Sequence, residues 1–153
     1  MPAGCLSLVH VANSRYAISN RNGIAADTGE LLLRNAPHAS SLDAVADGLS
    51  GTGTRIVIDA TASEEVAERH AQWLAGGIHV VTACKLGQGA SLSRWRAIQS
   101  ARERGGTRYG DSATVGAGLP VLRSLRELQD GGDRIHAIAG VLSGSLAWLF
   151  NRY

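Results

Sequence analysis

The chain has 153 residues, which is enough for one domain with a hydrophobic core. Hydrophobic residues make up 44% of it and charged residues 18%, so the composition is that of a folded protein and excludes a disordered chain. The net charge is only +2 and the basic residues form no cluster, which favours neither a nucleic-acid nor a membrane partner.

The first third of the chain is predicted to hold one strand, an irregular stretch and a short helix. Residues 6–11 form a short apolar run that is typical of a buried strand. Turn-forming Asn, Gly and Pro residues recur over 15–40, which we therefore expect to be irregular. Residues 41–49 are predicted to be a helix capped by Ser40 or Ser41.

Two strand–helix pairs are predicted in the middle of the chain. Residues 55–60 form an apolar run, as expected for a strand covered on both faces, and a helix capped by Ser63 follows it. A second strand over 78–81 leads to a helix that begins at Ser91. The predicted buried stripes are Val66, His70, Trp73 and Leu74 on the first helix, and Leu92, Trp95, Ile98 and Gln99 on the second. Glycine pairs at 76–77 and 105–106 end these helices.

The last third is predicted to contain two strands and two helices. Residues 107–109 are a candidate third strand, and Pro120 begins a helix that ends at the glycine pair 131–132. Three leucines carry that helix inward: Leu122, Leu125 and Leu128. Residues 135–142 alternate as a strand does. The final helix has an apolar face that requires a partner surface, formed by Leu146, Trp148, Leu149 and Phe150.

This order of elements predicts the fold class. Strands that alternate with helices of about a dozen residues indicate βαβ units and a parallel sheet. A dinucleotide-binding sheet normally opens with a strand, a G-x-G-x-x-G turn and a helix, but here Gly51-Thr52-Gly53 precedes a strand instead. We therefore predict an α/β fold with a partial Rossmann-like, doubly wound parallel sheet that lacks the first βα unit.

Polar residues at the predicted strand ends are the first candidates for a cofactor site. Asn13, Ser14 and Arg15 follow the first strand without the acidic residue that would hold the ribose 2′-hydroxyl of NAD, which suits a 2′-phosphate better. The alternative is a solvated arginine at a polar strand exit. Thr61 and Ala62 lie between a strand and a helix N-terminus, where ligands of α/β sheets bind. The alternative there is that the turn only caps the helix.

The chain's only lysine follows another predicted strand. Thr82 and Lys85 lie at the same edge of the sheet as the Thr61 turn, so the Lys85 ammonium can reach a ribose, a phosphate or a substrate oxygen. A solvated surface lysine is the alternative. Cys84 is interpreted as inert packing, and Cys5 and Cys84 lack a pairing pattern, which is typical of free thiols in a reducing cytoplasm.

A glycine-containing loop is the third candidate. Residues 114–120, TVGAGLP, link a strand to a helix, and carbonyls turned inward in such a loop can bind a hard cation. A glycine turn without a ligand is the alternative. The five histidines show no metal-ligand spacing, and no Ser-His-Asp arrangement for nucleophilic catalysis is evident.

Five segments in chain order resemble the homoserine dehydrogenase family, especially its bifunctional aspartokinase–homoserine dehydrogenase members. VANSR at 11–15 resembles the end of that family's second strand, and IDATAS at 58–63 resembles its D-x-T-S-S segment. HVVTACK at 79–85 resembles its H-V-V-T-P-N-K segment. Two further family blocks are matched by ATVGAGLPVL at 113–122 and GVLSGSLAWLF at 140–150. Five motifs in one order are much more specific than any one of them.

The resemblance implies an oxidoreductase that interconverts L-aspartate 4-semialdehyde and L-homoserine in threonine and methionine biosynthesis, with NADP(H) favoured over NAD(H). It implies cofactor contacts from Thr61 and Lys85, with Lys85 also a catalytic candidate, and a 2′-phosphate neighbour in Arg15. The carbonyls of Val115, Ala117 and Leu119 would hold a monovalent cation, typically Na⁺. Cofactor-binding candidates in full are Asn13, Ser14, Arg15, Thr61, Ala62, Thr82 and Lys85.

The resemblance also implies a division of the chain and a set of partners. Residues 1–112 would be part of the NAD(P)-binding domain, and 113–153 the start of the substrate and dimerisation domain. The family's pyrophosphate turn, substrate-binding Glu and catalytic Asp and Lys would lie outside the chain, so we expect negligible turnover from it alone. A homodimer is expected. The alternatives are a non-catalytic piece that pairs with another chain, or another NADP-dependent amino-acid dehydrogenase.

Departures from the family pattern concern the two loops that would bind ligands. Ser112 stands where the cation site often has an acidic residue. Ala83 and Cys84 replace the usual Pro-Asn, and Leu86 replaces a frequent second lysine. The resemblance therefore implies the fold more firmly than the activity.

Overall fold

The computed structural model describes residues 6–36, 38–49, 51 and 53–152, and it divides into two compact units between Arg55 and Ile56. The first unit contains a three-stranded antiparallel sheet in the order β1-β2-β3. Its elements are β1 (His10–Ala12), β2 (Tyr16–Ser19), α1 (Gly29–Arg34), β3 (His38–Ala39) and α2 (Ala44–Gly48). The boundary predicted at 112/113 separates domains of an intact enzyme and stays a prediction.

The prediction of an irregular stretch over 15–40 was wrong, because the turn signal after the first strand belongs to a hairpin. β1 and β2 pair from His10 opposite Ser19 to Ala12 opposite Ala17. The helix predicted over 41–49 exists but begins later, after Asp43, which makes no side-chain cap. The backbone N–H of Ser40 instead donates to the carbonyl of Arg15 at 2.9 Å, so this serine extends the sheet rather than capping the helix.

The second unit is built on a parallel sheet, which confirms the predicted α/β class. Its strands are β4 (Ile56–Asp59), β5 (His79–Thr82) and β6 (Tyr109–Gly110), in the order β4-β5-β6. Its helices are α3 (Glu64–Ala75), α4 (Leu86–Gly89), α5 (Leu92–Gly105), α6 (Val121–Asp130) and α7 (Gly144–Arg152), with a 3₁₀ turn at Ser112–Thr114. α4, a single helical turn, was not predicted.

The core of this unit lies on one face of the sheet. Leu74 of α3, Val80 of β5 and Ile98 of α5 are fully buried. On the other face Ile58 is 71% exposed and Val81 is 46% exposed, so the prediction that the strand at 55–60 is covered on both faces was wrong. Exposed and buried positions alternate along β5 and at the end of β4, which indicates that the helices of the core pack against a single face.

Local signals set the helix ends correctly. The hydroxyl oxygens of Ser63 and Ser91 accept hydrogen bonds from the N–H groups of Val66 and Arg94, as predicted for N-caps. α5 ends where Gly106 adopts a left-handed conformation with φ of 59°. A Cβ on the preceding Gly105 would overlap with the carbonyl group of Leu74, so the close approach of α3 and α5 requires glycine there.

The buried stripe of α5 differs from the predicted one. Ile98 and Ala101 are buried, whereas Leu92 is 60% exposed and Trp95 is 41% exposed. The buried stripe contains Ile98 and Ala101, so the prediction that Leu92 and Trp95 are buried was wrong.

In the carboxyl-terminal part of the chain, the two predicted helices exist but the predicted strand does not. Residues 135–142 form no strand, because no described segment pairs with them. Neither α6 nor α7 contains a buried residue, so the leucines predicted to carry α6 inward remain accessible. Over the described ranges, no helix combines the length and apolarity needed to cross a membrane.

Candidate functional site

The carboxyl ends of β4 and β5 bring two of the predicted turns side by side. The strands pair in parallel register, with Asp59 opposite Thr82. Neighbouring strands lie about 4.8 Å apart, so the turn at 60–63 and the turn at 83–85 leave the same edge of the sheet together. This edge is where α/β sheets bind ligands.

The first turn carries Thr61 and Ala62 into the N-terminus of α3, and both are exposed. Its shape is set by Asp59, whose Oδ1 accepts from the Thr61 backbone N–H at 2.8 Å. The Thr61 hydroxyl oxygen then accepts from the Ser63 N–H at 3.1 Å, which leaves the hydroxyl hydrogen free to donate outward. An outward donor beside a helix N-terminus fits a ribose hydroxyl or a phosphate oxygen.

The second turn carries Lys85, which occupies the N-cap position of α4 without a side-chain cap and is exposed. The Lys85 ammonium makes no hydrogen bond or ion pair with the residues that the structure describes. Thr82 is different, because it is buried and its hydroxyl donates to Asp59 Oδ2 at 3.1 Å while accepting from the Cys84 N–H at 2.9 Å. Its hydroxyl is therefore engaged inside the protein. Cys84 is a buried free thiol.

A buried polar network beneath these turns was missed by the sequence analysis. Asp59 Oδ2 lies 3.0 Å from His70 Nε2, and His70 Nδ1 lies 2.9 Å from the Tyr109 hydroxyl. Asp59 and His70 have fully buried side chains, and Tyr109 is 8% exposed. The available signal was a histidine within the apolar stripe of α3, because a buried imidazole needs polar partners.

The direction of each hydrogen bond in this network follows from its neighbours. Burial lowers the pKa of His70 below its ordinary value, and the nearby Asp59 carboxylate opposes that shift only in part. A neutral imidazole has one N–H, and Asp59 requires it at Nε2, so Nδ1 accepts from the Tyr109 O–H. Burial also raises the pKa of Tyr109, with added effects of Asp111 and Asp59, which keeps its hydroxyl a donor.

Asn13, Ser14 and Arg15 form the hairpin turn between β1 and β2 in the first unit. The Asn13 side-chain oxygen accepts from the N–H groups of Arg15 and Tyr16, both at 2.8 Å. The turn is thus held by asparagine itself, and the Arg15 side chain is exposed at its tip. The structure gives Arg15 the accessibility that a phosphate contact needs.

The 114–120 loop is not extended at its centre. Gly116 and Ala117 both adopt left-handed conformations, with φ of 73° and 51°. The Leu119 carbonyl already accepts from the Val121 N–H at 2.9 Å. A cation site formed by the carbonyls of Val115, Ala117 and Leu119 stays a prediction. In the part of the chain that the structure describes, no group of three His, Cys, Asp or Glu side chains is placed to hold a metal ion.

A buried ion pair ties this loop to its surroundings. Asp111 is 2% exposed and accepts from Arg126 of α6 through both oxygens, at 2.7 and 2.6 Å. Gln88 of α4 donates to the same carboxylate at 2.6 Å. Hydrogen bonding to Asp111 raises the pKa of Arg126. The start of the loop is therefore anchored to α4 and α6 at once.

Comparison with known sequences decides the family. A family model described as the NAD-binding domain of homoserine dehydrogenase matches residues 4–110. This chain belongs to the homoserine dehydrogenase family. The resemblance seen in the five sequence segments is thereby confirmed.

Relatives of this homoserine dehydrogenase chain include bifunctional enzymes from bacteria and plants. Bifunctional aspartokinase/homoserine dehydrogenase 2 of Escherichia coli K12 is 40% identical over 98 residues, which are 64% of this chain and 12% of that protein. The chloroplastic bifunctional aspartokinase/homoserine dehydrogenase 1 of Zea mays is 32% identical over 151 residues, covering 97% of this chain and 16% of that protein. The chain thus spans less than a fifth of these two relatives.

A solved structure supports the fold independently. The crystal structure of homoserine dehydrogenase from Thermoplasma acidophilum superposes with a TM-score of 0.59 at 22% identity, covering 78% of this chain and 38% of that one. At this identity the likeness establishes the fold, which is the predicted partial Rossmann-like architecture.

Proposed function

We propose that this chain forms part of the nicotinamide nucleotide site of an enzyme that interconverts L-aspartate 4-semialdehyde and L-homoserine. The observation that carries the proposal is the pairing of Asp59 with Thr82, which brings the Thr61 turn and the Lys85 turn to one edge of a parallel sheet. Family membership supports the reaction class. A bound nicotinamide would supply the hydride acceptor or donor for this interconversion.

The exposed groups at this edge fit a nucleotide. The Thr61 hydroxyl has a hydrogen to donate, the first N–H groups of α3 lie behind it, and the Lys85 ammonium adds a positive charge. Ribose hydroxyls and phosphate oxygens accept from such donors. In this role Thr61 orients the nucleotide and Lys85 binds an anionic or hydroxyl oxygen, while Thr82 holds the turns from below.

Preference for NADP(H) is proposed on the Asn13–Arg15 hairpin turn. It offers an exposed guanidinium and no carboxylate, and a guanidinium binds a phosphate monoester whereas a carboxylate would repel it. We also propose a cytoplasmic location and a Na⁺ ion at the 114–120 loop. The buried free thiol of Cys84 supports a reducing compartment.

Nucleotide titration of the purified chain tests the site. Lys85→Ala is expected to raise the Kd for NADPH about tenfold, the effect of losing one charged hydrogen bond. Arg108→Ala is the matched control, because Arg108 is also exposed but lies at the amino-terminal end of the same sheet. Equal weakening by both variants, or no NADPH binding by the unaltered chain, would contradict the proposed site.

Cofactor preference has its own test. Arg15→Ala is expected to weaken NADPH binding about tenfold and leave NADH binding unchanged, because only NADPH carries the 2′-phosphate. Arg21→Ala removes another exposed arginine of the same unit and serves as the control. If Arg15→Ala weakens the binding of NADPH and NADH to the same extent, Arg15 does not bind the 2′-phosphate.

The isolated chain is expected to show negligible turnover, because the family's catalytic Asp and Lys have no counterpart among the motifs matched here. The assay follows NADPH oxidation with aspartate semialdehyde and purified chain. A clear NADPH-dependent loss of the semialdehyde would refute this expectation.

A second candidate function is that of an oligomerising piece. The observation that favours it is the open apolar face of α7, where Leu146, Trp148 and Phe150 are 52%, 61% and 76% exposed. We propose a homodimer that buries this face. Size-exclusion chromatography with light scattering should show a dimer that Phe150→Asp converts to a monomer, and a monomeric unaltered chain would exclude it.

A further inference from the structure

We propose that the buried cluster of Asp59, His70 and Tyr109, termed the histidine network, positions the two turns that carry Thr61 and Lys85. The inference rests on the proposed nucleotide site. His70 acts in it as a positioning residue that affects nucleotide binding without touching the nucleotide. Filling the core does not require a histidine at this position, because an apolar side chain would occupy the same space.

The Asp59 carboxylate divides its hydrogen bonds between the two turns. Oδ1 accepts from the Thr61 N–H at 2.8 Å and so shapes the first turn. Oδ2 accepts from the Thr82 hydroxyl at 3.1 Å and from His70 Nε2 at 3.0 Å. Since Thr82 donates to Asp59, its oxygen is free to accept from the Cys84 N–H at 2.9 Å, which shapes the second turn. One carboxylate orientation therefore sets both.

His70 and Tyr109 fix that orientation. Each donor in the series has one acceptor: the Tyr109 O–H donates to His70 Nδ1, and the His70 Nε2–H donates to Asp59. Without the imidazole, Oδ2 would keep only Thr82, and the carboxylate would gain freedom to rotate away from the Thr61 N–H. A buried polar network whose groups are all satisfied rigidifies the side chains that it connects.

The start of α4 rests on the same network. Gly87 is buried against His70 and Tyr109, and a Cβ there would overlap with the Tyr109 hydroxyl and lie 3.0 Å from His70 Nδ1. Lys85 caps this helix, two residues earlier. The position of the Lys85 backbone thus depends on His70 through α4 as well as through Thr82.

The test compares three variants of the nucleotide-free chain by amide hydrogen exchange. His70→Leu removes both polar contacts, His70→Gln keeps a donor for Asp59, and Tyr109→Phe removes only the outer donor. In His70→Leu, exchange at Thr61 and Cys84 should accelerate about tenfold or more, as expected when a turn loses its hydrogen-bonded anchor. His70→Gln should stay within about threefold of the unaltered chain, and Tyr109→Phe should be intermediate.

The Ala101 amide of α5 separates positioning from general loss of stability. If exchange at Ala101 accelerates with that at Thr61 and Cys84, or if the two turns are unaffected, His70 is only structural and the proposal is overturned. The ¹⁵N shifts of the His70 ring provide a second measurement, and a hydrogen on Nδ1 instead of Nε2 would also overturn it. Should His70→Leu fail to fold, Tyr109→Phe is still expected to exchange faster at the two turns than His70→Gln, and equal exchange in these two variants would overturn the proposal.

Nucleotide titration links the network to the proposed function. His70→Leu should raise the Kd for NADPH about tenfold, while His70→Gln should stay within about threefold. If the unaltered chain binds no NADPH, the proposed function fails, and hydrogen exchange still decides whether the network positions the turns. If NADPH binds equally to all variants, the site stands and its dependence on His70 is refuted.

Discussion

The ion pair between Asp111 and Arg126 should have asymmetric energetics, because its two partners are buried to different extents. The Asp111 side chain is 2% exposed, whereas that of Arg126 is 48% exposed. Removing Arg126 leaves a carboxylate inside the protein, and Gln88 is then its remaining side-chain donor among the residues that the structure describes. Removing the charge of Asp111 leaves an arginine that can turn to water. The two substitutions therefore have different costs although they break the same pair.

The expected magnitudes follow from that difference. A buried pair that loses one partner costs about 3–5 kcal/mol, and solvent screening of the half-exposed Arg126 places Arg126→Met near 3 kcal/mol, the lower end of that range. Asp111→Asn should cost about 1–2 kcal/mol, because two screened hydrogen bonds weaken without stranding a charge. The double variant should recover about 1–2 kcal/mol relative to Arg126→Met, since it buries no charge.

Urea unfolding followed by tryptophan fluorescence measures these values. All three tryptophans, Trp73, Trp95 and Trp148, lie in the second unit, so the signal reports on the unit that contains the pair. Far-UV circular dichroism of each variant before unfolding controls for loss of fold. Equal costs for the two single substitutions, or strictly additive costs in the double variant, would refute the reasoning from burial.

Three further predictions concern the caps, the loop and the histidine. Ser63→Ala and Ser91→Ala should each lower the free energy of unfolding by about 1 kcal/mol in the same urea assay. Asparagine at either position should retain most of the stabilisation, because it also caps helices. Ala117→Gly should raise melting temperature or leave it unchanged, since φ of 51° costs an alanine about 1 kcal/mol that glycine avoids. The pKa of His70 is lowered in the folded state, so protonation favours the unfolded chain. The contribution of neutral His70 to the free energy of unfolding is therefore complete above pH 6.5, its ordinary pKa, and is lost as the pH falls below that value. Unfolding measured from pH 8 to 5 should show this loss, which His70→Gln should reduce.

Local signals in the sequence predicted the elements that depend on neighbouring residues alone. Ser63 and Ser91 cap helices where expected, because capping requires only a hydroxyl and the next turn of backbone. The parallel strands at 56–59 and 79–82 followed from apolar runs between helices. Residues 135–142 show the limit of this approach, since an alternating pattern becomes a strand only where another strand offers hydrogen bonds.

The sequence predicted where the candidate site lies but not the network beneath it. The Thr61 and Lys85 turns were expected at one edge of the sheet because strand ends in α/β folds gather there, and the strand register places them so. His70 lies 11 residues from Asp59 and 39 from Tyr109, and no spacing rule connects such positions. Their contact depends on how α3 packs on the sheet, which is a tertiary property. A lone polar residue in an apolar stripe therefore indicates that a buried polar partner exists, but it does not indicate which residue that partner is.

Two buried carboxylates organise the carboxyl-terminal edge of the parallel sheet, and α4 contacts the groups around both. Asp59 ends β4 and holds the turns of the candidate nucleotide site, while Asp111 follows β6 and precedes the 3₁₀ turn that leads into the 114–120 loop. Gly87 of α4 packs against the histidine network, and the next residue, Gln88, donates to Asp111. Lys85 occupies the N-cap position of this one-turn helix, so its backbone lies within three residues of both contacts. The short helix that no sequence pattern predicted is thus the element that joins the edge carrying the candidate nucleotide site to the 114–120 loop.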